Sequence, residues 1–172
     1  AIHVIYGAKE TGRKLVYQRP DKVHFTGSVK SGRKVMEQAA KFPIPVDLEL
    51  GGKDASIVFE DINIEKTANG IIWGAFNHSG QSCTSIERLY VQEQVYDELV
   101  DAIVKLTKKL RLSSPERNYK ANEDCDIGCM TTECQVQIFE EHIRGAVEKG
   151  AKVLTGGERK EGSLHFPPTI LT

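Results

Sequence analysis

Hydrophobic residues in this sequence recur with two periods, which distinguish short strands from helices. Alternation with a period of two, or a short apolar run, predicts strands at residues 2–6, 22–26, 46–50, 55–59, 89–91, 152–155 and 168–171. Spacings of three and four predict helices at residues 9–17, 31–40, 64–76, 95–110 and 132–149. Asp61 is the expected cap of the third helix, and Thr132 with Gln135 forms a capping-box pattern at the start of the last.

Strands and helices alternate through most of the chain. This order is typical of α/β architecture with a mainly parallel sheet and flanking helices. Pro43 and Pro45 end the second helical region, because proline does not fit inside a helix. Gly51-Gly52 follows the strand at 46–50 and marks the expected domain boundary, between residues 1–50 and 51–172.

Composition places the chain among globular proteins. It has 172 residues, of which 40% are hydrophobic and 27% charged, so it can bury a core. The formal net charge of −1 argues against broad electrostatic binding to nucleic acid or to an anionic membrane. No apolar run is long enough to span a bilayer, and residues 1–20 lack the layout of a signal peptide. We therefore expect a cytoplasmic protein.

Both ends of the sequence predict strands rather than polar tails. Residues 2–6 are apolar, and the chain stops at Thr169-Ile170-Leu171-Thr172. Because the ends of natural chains are usually polar and frayed, this pattern predicts a piece of a larger protein.

The four cysteines, Cys83, Cys125, Cys129 and Cys134, raise the alternatives of a disulfide or a metal site. Without a secretory signal, reduced thiols are favoured. The Cys125-x3-Cys129-x4-Cys134 spacing lacks the close cysteine pairs of a zinc site, and His142 would have to be the fourth ligand. We therefore predict no metal.

The first candidate site is the turn between the strand at 22–26 and the helix that follows. Thr26-Gly27-Ser28 leads into the start of this helix, where free backbone N–H groups can bind phosphate. Gly27-x4-Gly32 is neither a P-loop nor the Rossmann GxGxxG pattern. From these residues alone, phosphate binding and a plain strand–helix turn both stay open.

The second candidate is Glu49, a carboxylate inside an apolar strand and next to two glycines. Apolar surroundings raise the pKa of a carboxyl group, which suits a general base near neutral pH. The alternative is that Glu49 simply alternates outward on a half-exposed strand.

The third candidate is Cys83, whose neighbours in Gly80-Gln81-Ser82-Cys83-Thr84-Ser85 are small and would let a substrate approach. A thiolate at this position would be a nucleophile. His78 is close in sequence and raises the alternative of a cysteine hydrolase, although a catalytic histidine need not be a sequence neighbour. A structural thiol is the remaining interpretation.

Three motifs occur in a fixed order: Phe25-Thr26-Gly27-Ser28 with Gly32, Leu48-Glu49-Leu50-Gly51-Gly52-Lys53, and Gly80-Gln81-Ser82-Cys83. They resemble, in that order, the cofactor-binding turn, the general-base signature and the nucleophile signature of NAD(P)-dependent aldehyde dehydrogenases. Glu49 precedes Cys83 by 34 residues, which is the usual separation in that family. Residues 156–157 and 166–171 also resemble family segments, so the resemblance covers essentially the whole chain.

The resemblance implies oxidation of an aldehyde to a carboxylic acid with NAD or NADP. Cys83 would be the nucleophile, with its own N–H stabilising the oxyanion, and Glu49 the general base that hydrolyses the thioester. The implied fold is that of an aldehyde dehydrogenase. Residues 1–50 would be the C-terminal part of a Rossmann-like cofactor domain, and residues 51–172 the core of the catalytic domain. The whole enzyme would be a homo-oligomer. The implied cofactor-binding positions are Thr26, Gly27, Ser28, Gly32, Leu50 and Gly51.

The same resemblance implies that several functional segments have no counterpart in this sequence. These are the asparagine of the oxyanion hole, the lysine segment that holds the adenosine ribose, and the E-x-F-G-P segment that holds the nicotinamide ribose. We therefore expect the chain alone to have little or no dehydrogenase activity. A non-catalytic domain or a weak nucleotide-binding module is the alternative, and neither the aldehyde nor the choice between NAD and NADP follows from these residues.

Overall fold

The computed structural model describes residues 1–113, 125–159 and 161–172. By its internal contacts the chain divides into two compact units, Ala1–Gly52 and Lys53–Thr172, and each is described by itself. Within the described ranges, no helix is both long and apolar enough to cross a membrane.

The first unit is built from two helices and a parallel pair of strands, namely α1 (Lys9–Tyr17), β1 (Val23–Gly27), α2 (Val29–Ala39) and β2 (Val46–Leu50). The two strands pair in register from Val23 opposite Val46 to Gly27 opposite Leu50. Helix α2 connects them, so this part of the fold is a β–α–β crossover. Its strands and helices lie within a few residues of the positions that the hydrophobic pattern predicts.

The strand predicted at residues 2–6 is wrong. These residues belong to no strand, and the side chains of Ile2 and Tyr6 are 95% and 90% exposed. A strand exists only when a neighbouring strand supplies its hydrogen bonds, and no other described strand pairs with this segment. Apolar β-branched residues alone were therefore not a sufficient signal.

The second unit contains three helices, one short 3₁₀ turn and two further pairs of strands. Its elements are β3 (Asp54–Val58), α3 (Ile64–Phe76), the 3₁₀ turn (Asn77–Gly80), β4 (Ile86–Val91), α4 (Glu93–Thr107), α5 (Glu133–Glu148), β5 (Val153–Thr155) and β6 (Ile170–Leu171). Strands β3 and β4 are parallel, whereas β5 and β6 are antiparallel. The predicted α/β class with mainly parallel pairing is confirmed, although the described strands form three separate pairs rather than one sheet.

The capping patterns predict the start of α5 correctly but name the wrong cap for α3. The side chain of Asn63, not of Asp61, caps α3 by accepting a hydrogen bond from the N–H of Lys66 at 2.9 Å. Asn63 directly precedes the first helical residue, which is where a cap must stand. Thr132 caps α5 as predicted, accepting from the N–H of Gln135 at 3.2 Å.

The main core of the second unit lies between α3, α4 and one face of the β3–β4 pair. Leu99 and Ala68 are completely buried there, and the remaining core residues are Val58, Ile71, Ile72 and Ile103. A second cluster packs α5 against residues 130 and 164–166, with Val136 fully buried and the Phe139 and Phe166 rings edge to face at 4.9 Å.

The other face of the β3–β4 pair is open to solvent. Ile57 and Tyr90 lie opposite each other in the ladder and are 66% and 53% exposed. Phe59, which directly follows β3, is also exposed. Parallel strands are usually covered on both faces, so this apolar face is an unusual feature of the chain.

A nearly buried arginine fastens α5 to the loop that follows β5. The Arg159 guanidinium donates hydrogen bonds to both carboxylate oxygens of Glu133, to Glu140 and to the carbonyl of Ser163. Its side chain is only 10% exposed. The hydrogen bonds from Arg159 lower the pKa of Glu133, so this pairing stabilises the fold above the carboxyl's unfolded pKa and is lost as the pH falls below it.

Candidate functional site

The carboxyl ends of β1 and β2 bring most of the predicted cofactor-binding residues to one edge. Gly27 lies opposite Leu50, and the N–H of Gly51 donates to the carbonyl of Gly27 at 3.3 Å. Ser28 follows Gly27 directly and precedes α2. In open α/β structures, ligands bind outside the carboxyl ends of parallel strands, so this edge is the candidate ligand site of the first unit.

Ser28 shapes that edge by capping α2. Its hydroxyl oxygen accepts a hydrogen bond from the N–H of Ser31 at 3.2 Å and lies 3.1 Å from the Ser31 hydroxyl. The cap fixes the start of the helix, whose first N–H groups and positive dipole end face the same direction as the strand ends. This arrangement suits an anionic group such as a pyrophosphate.

Gly32 is buried, and its role is close packing. A Cβ atom at this position would lie 2.8 Å from Cδ2 of Leu50, so a larger residue would require the Leu50 side chain to shift or α2 to move away from β2. The glycine therefore holds the helix start next to the strand end, which is the use of the last glycine in dinucleotide-binding turns.

Thr26 and Glu49 lie opposite each other in the β1–β2 ladder, and both are exposed. Leu48 and Leu50 are partly buried, so Glu49 points away from the packed face of the strand. Strand β2 therefore has the outward alternation considered as the alternative, and the expectation of apolar surroundings for the Glu49 carboxyl group was wrong. The Glu49 carboxylate is accessible to water and to a ligand.

Cys83 lies at the tip of a tight turn in the second unit. The N–H of Ser85 donates to the carbonyl of Ser82 at 3.2 Å, and the N–H of Thr84 donates to the Ser82 hydroxyl at 3.3 Å. The thiol is exposed. Small side chains on both sides leave its approach open, as the sequence predicts.

The backbone N–H of Cys83 is available to a ligand. Among the residues that the structure describes, it donates no hydrogen bond. An N–H in this position can donate to a negatively charged oxygen that develops next to the sulfur.

Ser85 is a residue of this site that sequence reasoning missed. It is 3% exposed, and its hydroxyl donates to the carbonyls of Ala75 at 3.0 Å and Gly74 at 3.3 Å. It thereby satisfies carbonyls in the last turn of α3 and ties the end of the Cys83 turn to that helix. Its contacts are ten and eleven residues away, so local sequence pattern gave no signal for them.

Gln81 and Ser79 are two further residues whose contacts the sequence did not indicate. The side-chain oxygen of Gln81 accepts hydrogen bonds from the N–H and the hydroxyl of Thr131, at 2.8 and 2.9 Å. The Ser79 hydroxyl donates to the carbonyl of Gly128 at 3.0 Å. A cavity of about 490 Å³ lies between these two segments, and its wall includes His78 and Cys129.

Other site hypotheses receive no support from the described residues. No hydrogen bond joins His78 to Cys83, which the cysteine-hydrolase alternative requires. None of the four cysteines, all of which lie in the described ranges, forms a disulfide. In residues 1–113, 125–159 and 161–172 no group of three or more histidine, cysteine or acidic side chains could hold a metal ion. Glu49 belongs to the first unit and Cys83 to the second.

Comparison with known proteins adds independent evidence. The sequence profile described as the aldehyde dehydrogenase family matches residues 1–172. The chain is 38% identical over 166 residues to a 4,4'-diapolycopene aldehyde oxidase of Methylomonas sp, covering 96% of this chain and 30% of the relative. It is 41% identical over 151 residues to an NADP-dependent succinate-semialdehyde dehydrogenase of Escherichia coli K12, covering 87% of this chain and 30% of the relative.

The fold has matching solved structures. A betaine aldehyde dehydrogenase of Staphylococcus aureus, crystallised with NAD+, superimposes with a TM-score of 0.90 at 28% sequence identity, covering 97% of this chain and 34% of that one. The chain thus spans about a third of the length of the relatives it matches.

Proposed function

Because the chain belongs to the aldehyde dehydrogenase family, we propose that Cys83 is the nucleophile in the oxidation of an aldehyde to a carboxylic acid. The observation that carries this proposal is the turn at residues 82–85, in which the exposed Cys83 presents its thiol beside an N–H that makes no backbone hydrogen bond in the described residues. Residues 1–50 are then the C-terminal part of the cofactor domain and 51–172 the core of the catalytic domain. The contact division at Gly52 supports that assignment.

The first chemical step uses Cys83 alone. Its thiolate attacks the aldehyde carbon, a carbon–sulfur bond forms, and the carbonyl electron pair moves onto the oxygen. The N–H of Cys83 donates a hydrogen bond to the resulting oxyanion and stabilises the transition state that leads to it.

NAD or NADP, when bound, supplies the hydride acceptor that turns this adduct into a thioester on Cys83. The residues that would hold it are Thr26, Gly27, Ser28, Gly32, Leu50 and Gly51. The capped start of α2 and Gly51 fit a dinucleotide pyrophosphate, because they combine backbone donors with open space, since a Cβ at Gly51 would meet no atom within 4 Å. At Gly27 the Phe25 ring fills the corresponding space.

Glu49 completes the reaction as the general base. It takes a proton from water while the water oxygen attacks the thioester carbon, which releases the carboxylic acid and restores the Cys83 thiolate. An exposed carboxylate at the end of β2, one residue before the cofactor edge, suits this role. The substrate is an aldehyde, and the homo-oligomeric state and cytoplasmic location expected from the sequence stay predictions.

The nucleophile assignment predicts a reactivity order among the four thiols. With limiting iodoacetamide, Cys83 should be alkylated ahead of Cys125, Cys129 and Cys134. Cys125 is only partly exposed, and Cys129 and Cys134 are exposed but have larger neighbours, whereas small residues flank Cys83. Mass-spectrometric peptide mapping measures this order. Preferential labelling of Cys125 or Cys129 would contradict the assignment.

We also propose that the 172-residue chain alone does not turn over. The relatives are about three times longer, and the family segments that complete the oxyanion hole and hold both riboses have no counterpart in residues 1–172. No steady NADH or NADPH production should appear with a simple aldehyde. Steady production that disappears in Cys83→Ala would refute this, and calorimetric titration with NAD and NADP would reveal the alternative, a nucleotide-binding module.

A further inference from the structure

The turn that carries Cys83 is cross-linked to a segment about fifty residues further along the chain. Gln81 and Ser79 supply this link through their side chains, to Thr131 and to the carbonyl of Gly128 respectively. The link holds two loops of the second unit together at the edge of the 490 Å³ cavity.

The backbone before Cys83 needs such support, because it is strained. His78, Ser79 and Gly80 have φ angles of 51°, 60° and 70°, which puts three consecutive residues in the left-handed region. Only the last of the three is glycine, and for the other two residues the left-handed conformation is higher in energy than the right-handed one. Strained backbone of this kind persists when surrounding contacts hold it.

Gln81 engages both ends of its amide group in holding this turn. The amide oxygen accepts two hydrogen bonds from Thr131, and the amide nitrogen donates one to the carbonyl of His78 at 3.2 Å. One side chain therefore bridges the strained residues to the loop that leads into α5, where Thr132 caps the helix. Cys83 is only two residues further along.

We propose that Gln81, together with Thr131, is a positioning residue for the Cys83 nucleophile. This inference rests on the proposed function. The bridge fixes the direction in which the turn presents the thiol, and so contributes to the geometry of attack on the aldehyde carbon. We assign the bridge no contact with substrate or cofactor, and its hydrogen bonds are solvent-exposed, so it contributes little to global stability.

The test compares four variants in a full-length enzyme that contains this segment. Gln81→Ala removes the whole bridge and should lower kcat by about 10- to 100-fold with KM changed by less than about threefold, because attack geometry suffers more than binding. Thr131→Val removes only the hydroxyl donor and should lower kcat by about two- to tenfold. Thr131→Ser restores that donor and should return kcat to within about twofold of the original. Gln137→Ala is the matched control, since Gln137 lies on α5 and its side chain donates a hydrogen bond only to Glu133 in the described structure.

A second measurement uses the 172-residue chain. Hydrogen exchange of amides 78–85 should accelerate in Gln81→Ala, while the amides of α3 and the urea unfolding midpoint stay unchanged. An unchanged exchange rate at residues 78–85 would overturn the inference.

The kinetic outcomes separate this inference from the function on which it rests. If Cys83→Ala abolishes activity but Gln81→Ala keeps kcat within about twofold, the positioning role is wrong and the nucleophile stands. If Cys83→Ala retains activity, the nucleophile assignment and the positioning role of Gln81 are both wrong. If Gln81→Ala does not fold, the two Thr131 variants decide the question. An equal loss of kcat in Thr131→Val and Thr131→Ser would show that the Gln81–Thr131 bridge does not position Cys83.

Discussion

Replacement of Cys83 by alanine in a full-length enzyme that contains this segment should lower kcat/KM for aldehyde oxidation by about 10⁴-fold or more. The methyl group cannot form the carbon–sulfur bond, so every later step loses its substrate. Steady-state production of NADH or NADPH, followed by absorbance, measures the effect. The loss should appear in kcat, because the small neighbours of the turn keep the site accessible in the variant.

The control for this experiment is Cys129→Ala. Cys129 is a second exposed thiol in the same unit, and it lines the cavity next to the Cys83 turn. Its removal should leave kcat/KM within about threefold, because it takes no part in the proposed reaction. Retained activity in Cys83→Ala, or an equal loss in both variants, would show that the nucleophile is elsewhere.

Leu99→Ala should cause the largest loss of stability among single core truncations, about 3–4 kcal/mol. Leu99 is completely buried at the centre of the cluster formed by α3, α4 and the β3–β4 pair, so the truncation leaves a cavity that rigid neighbours cannot fill. Against a typical total of about 5–15 kcal/mol, that loss brings the fold close to unfolding.

Urea denaturation followed by circular dichroism measures this difference. Leu15→Ala is the matched control, because the same atoms are removed from a helix residue that is 51% exposed. It should cost less than about 1 kcal/mol. A Leu99→Ala effect below about 1 kcal/mol would mean that the core is loosely packed around this position.

The sequence predicted the helices well because their signals are local. Helices α3 and α5 carry apolar residues three and four positions apart, and α5 starts at the predicted cap Thr132, whereas the cap of α3 is Asn63 and not the expected Asp61. The strand predicted at residues 2–6 failed for the opposite reason. A strand depends on a partner elsewhere in the chain, and the apolar run contains no information about that partner.

The candidate site also contains residues that local sequence predicts and residues that only long-range contacts position. A strand that ends in glycine before a capped helix identified the edge at Gly27 and Ser28, because that geometry is encoded within a few residues. The bridge from Gln81 to Thr131 spans fifty positions, and the buried hydroxyl of Ser85 reaches back to α3. Neither contact can be read from spacing, because it exists only after the chain has folded.

The open face of the β3–β4 pair bears on any thermodynamic measurement made with this chain. Ile57, Phe59 and Tyr90 present apolar surface whose transfer from water would contribute about 25 cal/mol per Å² to whatever covers it. Within the described chain this surface stays in contact with water, so its burial does not contribute to the stability of the fold. Anything that binds this face in the folded state and not in the unfolded state would raise the conformational stability by mass action, so the unfolding midpoint would then depend on the concentration of that partner.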